Sequence, residues 1–148
     1  MPGLGRNGEW VQGLLEGEER TMTEATGPLA GIRVVDMSTV VFGPFATVQL
    51  ADLGASVVKV ENPRGGGEIM RHAGKAPAKG MGPIFMALNR NKRSVALDVA
   101  TDLGREALRR LLREADVFFH NVRMAGMERL GFGYEAVREL RDDIVYVH

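Results

Sequence analysis

Two apolar runs joined by a helical crossover, within Pro28 to Pro63 (PLAGIRVVDMSTVVFGPFATVQLADLGASVVKVENP), constrain the fold more than any other stretch. Ile32 to Asp36 is short, with Ile32, Val34 and Val35 supplying apolar side chains to both faces, and is read as a buried strand with Gly31 and Ser38 marking its limits. Pro44 suits the first position of a helix because its φ is already helical. Phe45, Val48 and Leu53 supply apolar spacing, and Gly54 suits the left-handed residue that ends such a segment. A second strand is predicted at Ser56 to Glu61. A helical crossover between two strands implies parallel pairing and a right-handed connection. The loop Met37 to Gly43 and Asn62 then stand at the carboxyl ends of the strands, where open α/β sheets bind ligands. On physics alone, a plain chain reversal by STVVFGP is an equal reading.

The same alternation continues. A short helix is predicted at Ile84 to Leu88, a third strand at Ser94 to Asp98 and a fourth at Val117 to His120. Between the last two, Asp102 to Glu114 carries the apolar stripe Leu103, Ala107, Leu108, Leu111 and Leu112. Thr101 is placed to cap its start, and Arg109, Arg110 and Arg113 to complement its carbonyl end. Tyr134 to Leu140 reads as a further helix and Ile144 to Val147 as a fifth strand. The predicted fold is therefore α/β, a doubly wound, mostly parallel, Rossmann-like sheet.

Two stretches stand apart from this pattern. Residues 1–27 are rich in Gly and Glu, with only Trp10, Val11, Leu14 and Leu15 at helical spacing. They are expected to form a disordered extension to a domain spanning 28–148, with Met22 as a candidate start and Met1 to Thr21 dispensable. Asn62 to Pro83 reads as a long loop, functional or mobile. Its Gly65-Gly66-Gly67 matches neither a P-loop nor the dinucleotide fingerprint, because Met70 stands where the last glycine belongs, and it is read as a flexible turn. Arg90, Lys92 and Arg93 are expected in the connection before the third strand, free to meet phosphates or to form ion pairs.

Composition excludes several functions. Lysine plus arginine equals aspartate plus glutamate at 19 each, so no global field favours nucleic acid or an anionic membrane. The absence of cysteine removes disulfides, thiolate catalysis and Cys-ligated zinc. His72, His120 and His148 are too far apart for a metal motif, so no metal site is expected. No apolar run reaches the roughly 20 residues of a membrane helix, and no signal-peptide core precedes the domain, which together point to the cytoplasm.

Four stretches carry a resemblance. The run from Gly31 to Glu61, then NRNKRSVALD at Asn89 to Asp98, ADVFFHN at Ala115 to Asn121, and RLGFG at Arg129 to Gly133 followed by Tyr134 and Glu135, resemble in order the opening of the family III CoA-transferases, the CaiB/BaiF group. The resemblance implies a CoA-binding amino-terminal domain acting on acyl-CoA and carboxylic acid substrates, with no permanently bound cofactor. It implies CoA contacts at Val41 and Phe42, Asn62, Leu97 and Asp98, Asn121, Val122 and Arg123, and Arg129. Leu97 reads equally as core, and Arg129 as a surface cation.

Some positions depart from the family pattern. Val122 replaces a usual aromatic, Met124 and Ala125 replace a Pro-Gly pair, and Asn62 stands where some members carry Arg. The resemblance also implies an aspartate nucleophile beyond the segment matching Ile144 to His148, so no catalytic residue is expected here. The remainder would come from a longer chain, homodimeric in the family, or from a separate one. Other readings are a fragment of an acyl-CoA racemase and a non-catalytic CoA- or nucleotide-binding module.

Overall fold

A computed structural model describes residues 26–148. The extension predicted at 1–27, with Trp10 and Met22, lies outside the described residues except for its last two. The elements are β1 (Arg33–Met37), α1 (Phe42–Asp52), β2 (Ser56–Glu61), α2 (Pro83–Leu88), β3 (Lys92–Ala96), α3 (Asp102–Glu114), β4 (Val117–His120), α4 (Met124–Leu130), α5 (Tyr134–Arg138) and β5 (Val145–Val147). Two 3₁₀ turns, Pro63–Gly65 and Ile69–His72, lie between β2 and α2.

The strands form one sheet in the order β3-β2-β1-β4-β5, and every pairing is parallel. The chain winds outward from β1 to β3, crosses back through α3, and continues on the other side to β5. The order therefore reverses between β1 and β4, whose register pairs Met37 with His120 at their carboxyl ends.

Alternation along the strands sends successive side chains to opposite faces. Val35, Met37, Val58, Val60, Val95 and Phe118 face Ala107, Leu108 and Leu112 of α3, with Met127 of α4 and Val137 of α5 closing the same core. On the other face Val34 and Val57 pack with Ala51 of α1 and with Ala55. Thr101 caps α3 as the sequence suggested, its hydroxyl accepting from Gly104 N–H at 3.1 Å. Gly54, at φ +100°, closes the turn between α1 and β2, with its N–H on Ala51 O.

Several boundaries differ from the sequence expectation. Helix α1 starts at Phe42, so Pro44 sits inside its first turn, where a missing N–H leaves no intrahelical bond unmade. Strand β3 spans Lys92–Ala96, two residues earlier than Ser94 to Asp98. Asp98 instead opens the turn into α3, accepting Ala100 N–H on its carboxylate and Thr101 N–H on its carbonyl. Helix α4 was not expected. It begins where Met124 and Ala125 replace Pro-Gly, and it ends at Gly131 in the left-handed region.

The early start of β3 takes Lys92 into the sheet and buries it. Its side chain is 1% exposed, and its ammonium bonds Asp36 Oδ2 at 3.1 Å, Thr47 Oγ1 at 2.8 Å, Pro44 O at 3.0 Å and Asn89 Oδ1 at 3.0 Å. Arg90 bonds Asp52 and Arg93 bonds Ser56 Oγ. The cation cluster is thus committed to structure. Replacing Lys92 by Met leaves the Asp36 carboxylate buried without its closest cation, and breaking a buried pair in this way costs about 3–5 kcal/mol. Denaturant unfolding should show that loss for Lys92→Met, and less than about 1 kcal/mol for the exposed Arg93→Ala.

Candidate functional site

The loops that leave β1 and β4 meet at the carboxyl edge, where the strand order reverses, which is where sheets of this kind open a ligand crevice. Asn121 ties them together. Its Oδ1 accepts from Thr39 N–H at 3.0 Å and its Nδ2 donates to Thr39 O at 2.9 Å, so one carboxamide satisfies both backbone polar groups of a residue 82 positions away.

The β1 loop is held from below as well. Asp36 accepts from Ser38 N–H and from the hydroxyls of Ser38 and Thr47, while Lys59 donates to Ser38 O at 2.7 Å. Burial raises the Asp36 pKa, but Lys59, Lys92 and the two hydroxyl bonds outweigh it and hold the carboxyl below its ordinary range. Burial in turn lowers the Lys92 pKa against the pull of Asp36. Val40 then adopts φ +74°, a left-handed conformation costly for a β-branched residue, with its N–H on Glu68 Oε1 at 2.9 Å.

The segment between Asn62 and Pro83 is tied to the sheet rather than standing off it. Arg71 grips Glu61 through two bonds of 2.7 and 2.6 Å and lies 3.7 Å from the centre of the Phe85 ring. Glu68 N–H donates to Glu61 at 2.7 Å, and the Glu68 side chain is buried 3.3 Å from Lys59 Nζ. Gly66 and Gly67 both have positive φ, and a Cβ on Gly67 would stand 2.7 Å from Glu61 Oε2. The triple glycine is a turn, as read from sequence, but one packed around Glu61.

The residues implied by resemblance fall into three groups. Val41 and Phe42 stand at the mouth of α1, Phe42 88% exposed, and Asn121, Val122 and Arg123 lead from β4 into α4. Asn62 and Asp98 flank the ends of β2 and β3, where Asn62 Oδ1 accepts from Arg64 N–H at 3.0 Å. Leu97 is buried in the core and offers no side chain to a ligand. Arg129 lies in the last turn of α4, its Nε on Ala125 O at 3.2 Å, more than a helical turn beyond Arg123.

Sequence reasoning missed Arg64. Its guanidinium, 65% exposed, reaches Asp98 Oδ2 at 2.5 Å on the same carboxyl edge, 34 residues away. The signal was local: Arg64 lies two residues past Asn62, the position that carries Arg in some members of the family.

His120 adjoins Asn121 but turns to the opposite face. It is fully buried, with Nε2 2.7 Å from the Tyr146 hydroxyl, which donates to Phe132 O. Burial, with the nearby His148 ring, pushes its pKa down to about 4, so it stays neutral and out of reach of the crevice. Among the described residues no group of His, Asp and Glu is arranged to hold a metal, and no helix is long and apolar enough to cross a membrane.

The family model for CoA-transferase family III matches residues 29–148. The chain belongs to this family. It is 41% identical over 124 residues to the succinyl-CoA:mesaconate CoA-transferase of Haloarcula hispanica, a match covering 81% of this chain and 31% of that protein. It is 35% identical over 145 residues to the succinyl-CoA:glutarate CoA-transferase of Mus musculus, covering 98% and 33%. A solved CaiB/BaiF family protein from Brucella suis superposes with a TM-score of 0.76 at 37% identity, covering 81% of this chain and 32% of that one. This family III CoA-transferase chain thus spans about a third of the length of the curated relatives it matches.

The anchoring of the segment around Glu61 has a pH signature. Burial raises the Glu61 pKa, but the bonds from Arg71, Ser94 and Glu68 N–H outweigh it and hold the carboxyl at about 2, against 4.5 when free. The unfolded chain therefore binds this proton more readily than the folded one. The stabilisation is complete above pH 4.5 and declines as the pH falls toward 2. Denaturant midpoints measured down this range should fall less steeply for Glu61→Gln than for the wild type.

Proposed function

We propose that this domain binds coenzyme A along the carboxyl edge of the sheet and holds it for transfer between an acyl-CoA and a carboxylic acid. The observation that carries this reading is the reversal of strand order between β1 and β4, where such sheets bind ligands, with the β1 and β4 loops fixed to each other through Asn121 and Thr39. Coenzyme A has a long pantetheine arm with two amides, an adenine and three phosphate groups, so its site needs an apolar face, cations and amide partners.

The edge supplies each of these. The exposed Phe42 ring offers a face to the adenine or the pantetheine arm, and Val41 continues that surface. Asn62 and Val122 line the approach, and Asn121 keeps the two loops in place. Arg123 and Arg129 are exposed guanidinium groups suited to phosphate oxygens, which they meet with planar paired donors. Arg64 adds a third, releasable from Asp98 when a more highly charged anion enters. Leu97 supports the site from the core.

Catalysis is not assigned to any described residue. The nucleophile of an acyl transfer must be able to reach a carbonyl carbon. Asp36 cannot, because its carboxylate is buried and occupied by Lys92, Ser38 and Thr47. Asp98 is engaged by Arg64 and by the turn into α3.

Hydrogen bonds to charged groups contribute about 1.5–3 kcal/mol each. Arg123→Ala and Arg129→Ala should therefore each weaken coenzyme A binding about ten- to a hundredfold by calorimetric titration. Dephospho-CoA should lose less with whichever arginine meets the 3′-phosphate. Arg64→Ala should show a loss of the same order. Unchanged affinity in all three variants, or no binding by the wild-type chain, would overturn the assignment.

A further inference from the structure

We infer that Glu68 is a positioning residue for the ligand loop, its buried carboxylate holding Val40 in the left-handed conformation that sets where Val41 and Phe42 stand. The consequence for coenzyme A rests on the function proposed above, while the conformational claim stands without it.

Val40 is the residue of the β1 loop that most needs an external restraint. Left-handed φ in a β-branched residue is strained and persists only where surrounding contacts over-determine it. Its neighbours are held elsewhere: Ser38 by Asp36 and Lys59, Thr39 by Asn121, and Val41 through its carbonyl on Phe45 N–H at 2.8 Å. Val40 itself is 46% exposed, so its side chain packs too little to fix the backbone. Among the described contacts its N–H has one restraint, Glu68 Oε1 at 2.9 Å.

Glu68 is built to supply that restraint. Its side chain is fully buried, and Oε2 faces Lys59 Nζ at 3.3 Å without a hydrogen bond of good geometry. The same Lys59 donates to Ser38 O, so one ammonium ties the Glu68 carboxylate to the loop it serves. Glu68 is itself held by the bond from its own N–H to Glu61, which Arg71 and Ser94 also grip. The order of the segment after β2 is thereby transmitted through a single carboxylate oxygen to the mouth of the crevice. A purely local role, capping the 3₁₀ turn through Met70 N–H at 3.3 Å, needs neither Lys59 nor Val40.

Two conservative variants separate reach from charge. Glu68→Gln keeps an oxygen at the same reach and removes the charge. Glu68→Asp keeps the charge beside Lys59 and draws the acceptor back by about 1.5 Å, one carbon–carbon bond. Nuclear magnetic resonance of the full 148-residue chain without ligand reads the φ-dependent coupling of Val40 and the exchange rate of its amide. Glu68→Gln should retain the left-handed coupling and the protection. Glu68→Asp should lose the coupling and raise Val40 exchange at least tenfold, with β1 and β2 amides unchanged. If Glu68→Gln fails to fold with Lys59 uncompensated, Lys59→Met with Glu68→Gln removes the imbalance and should restore the protected Val40.

Val40 unchanged in Glu68→Asp, or lost equally in both variants, would overturn the inference. Titration with coenzyme A then adds the functional arm, with about tenfold weaker binding in Glu68→Asp than in Glu68→Gln. Absence of coenzyme A binding in the wild type would sink the proposed function and leave the Val40 result to decide this inference by itself.

Discussion

Asp36 and Lys92 form the contact on which the rest of this domain depends. Each is buried, and each would be prohibitively costly to bury alone. With Lys59 and Glu68 they make two cations and two anions behind α1, and each carboxylate also accepts hydrogen bonds from the loop after β1. A cluster of this kind is weak evidence for net stability, because desolvation offsets much of the Coulomb attraction. What it specifies is arrangement. Lys92 meets Asp36, Thr47, Pro44 and Asn89 together, which fixes β1, the first turns of α1, the end of α2 and β3 relative to one another.

The carboxyl edge inherits that precision. A ligand crevice in an open sheet is made of loops, and loops hold a defined shape only when their backbone groups have partners. Here the β1 loop is met from three directions: by Asp36 and Lys59 beneath it, by Asn121 from β4 and by Glu68 from the segment after β2. Around it Phe42, Arg123 and Arg129 are exposed, and Arg64 is exposed but paired with Asp98. Polar residues inside this domain set the shape of the edge, while those on its surface carry the chemistry proposed for it.

Membership of CoA-transferase family III gives this division a context. Relatives named for succinyl-CoA:mesaconate and for succinyl-CoA:glutarate transfer share this portion of the chain at comparable identity. The acids in those two names differ.

The sequence by itself determined the parallel α/β alternation, because each element buries a face whose period is written locally: the apolar runs of β1 and β2, the stripe of α3, and the glycine that closes α1. It also placed Asn62, Asn121 and Arg123 at strand ends, since a position relative to a strand is a local property. What it could not supply were the long-range partners. Lys92 reads as a solvated turn cation until the parallel pairing of β3 with β2 brings Asp36, 56 residues away, beside it. Glu68 reads as one more loop carboxylate until Val40 and Lys59 close around it. Arg64 finds Asp98 only once β2 and β3 lie side by side. Periodicity carries information about which face of an element is buried. The identity of the charge that arrives on that face is decided only when the tertiary structure assembles.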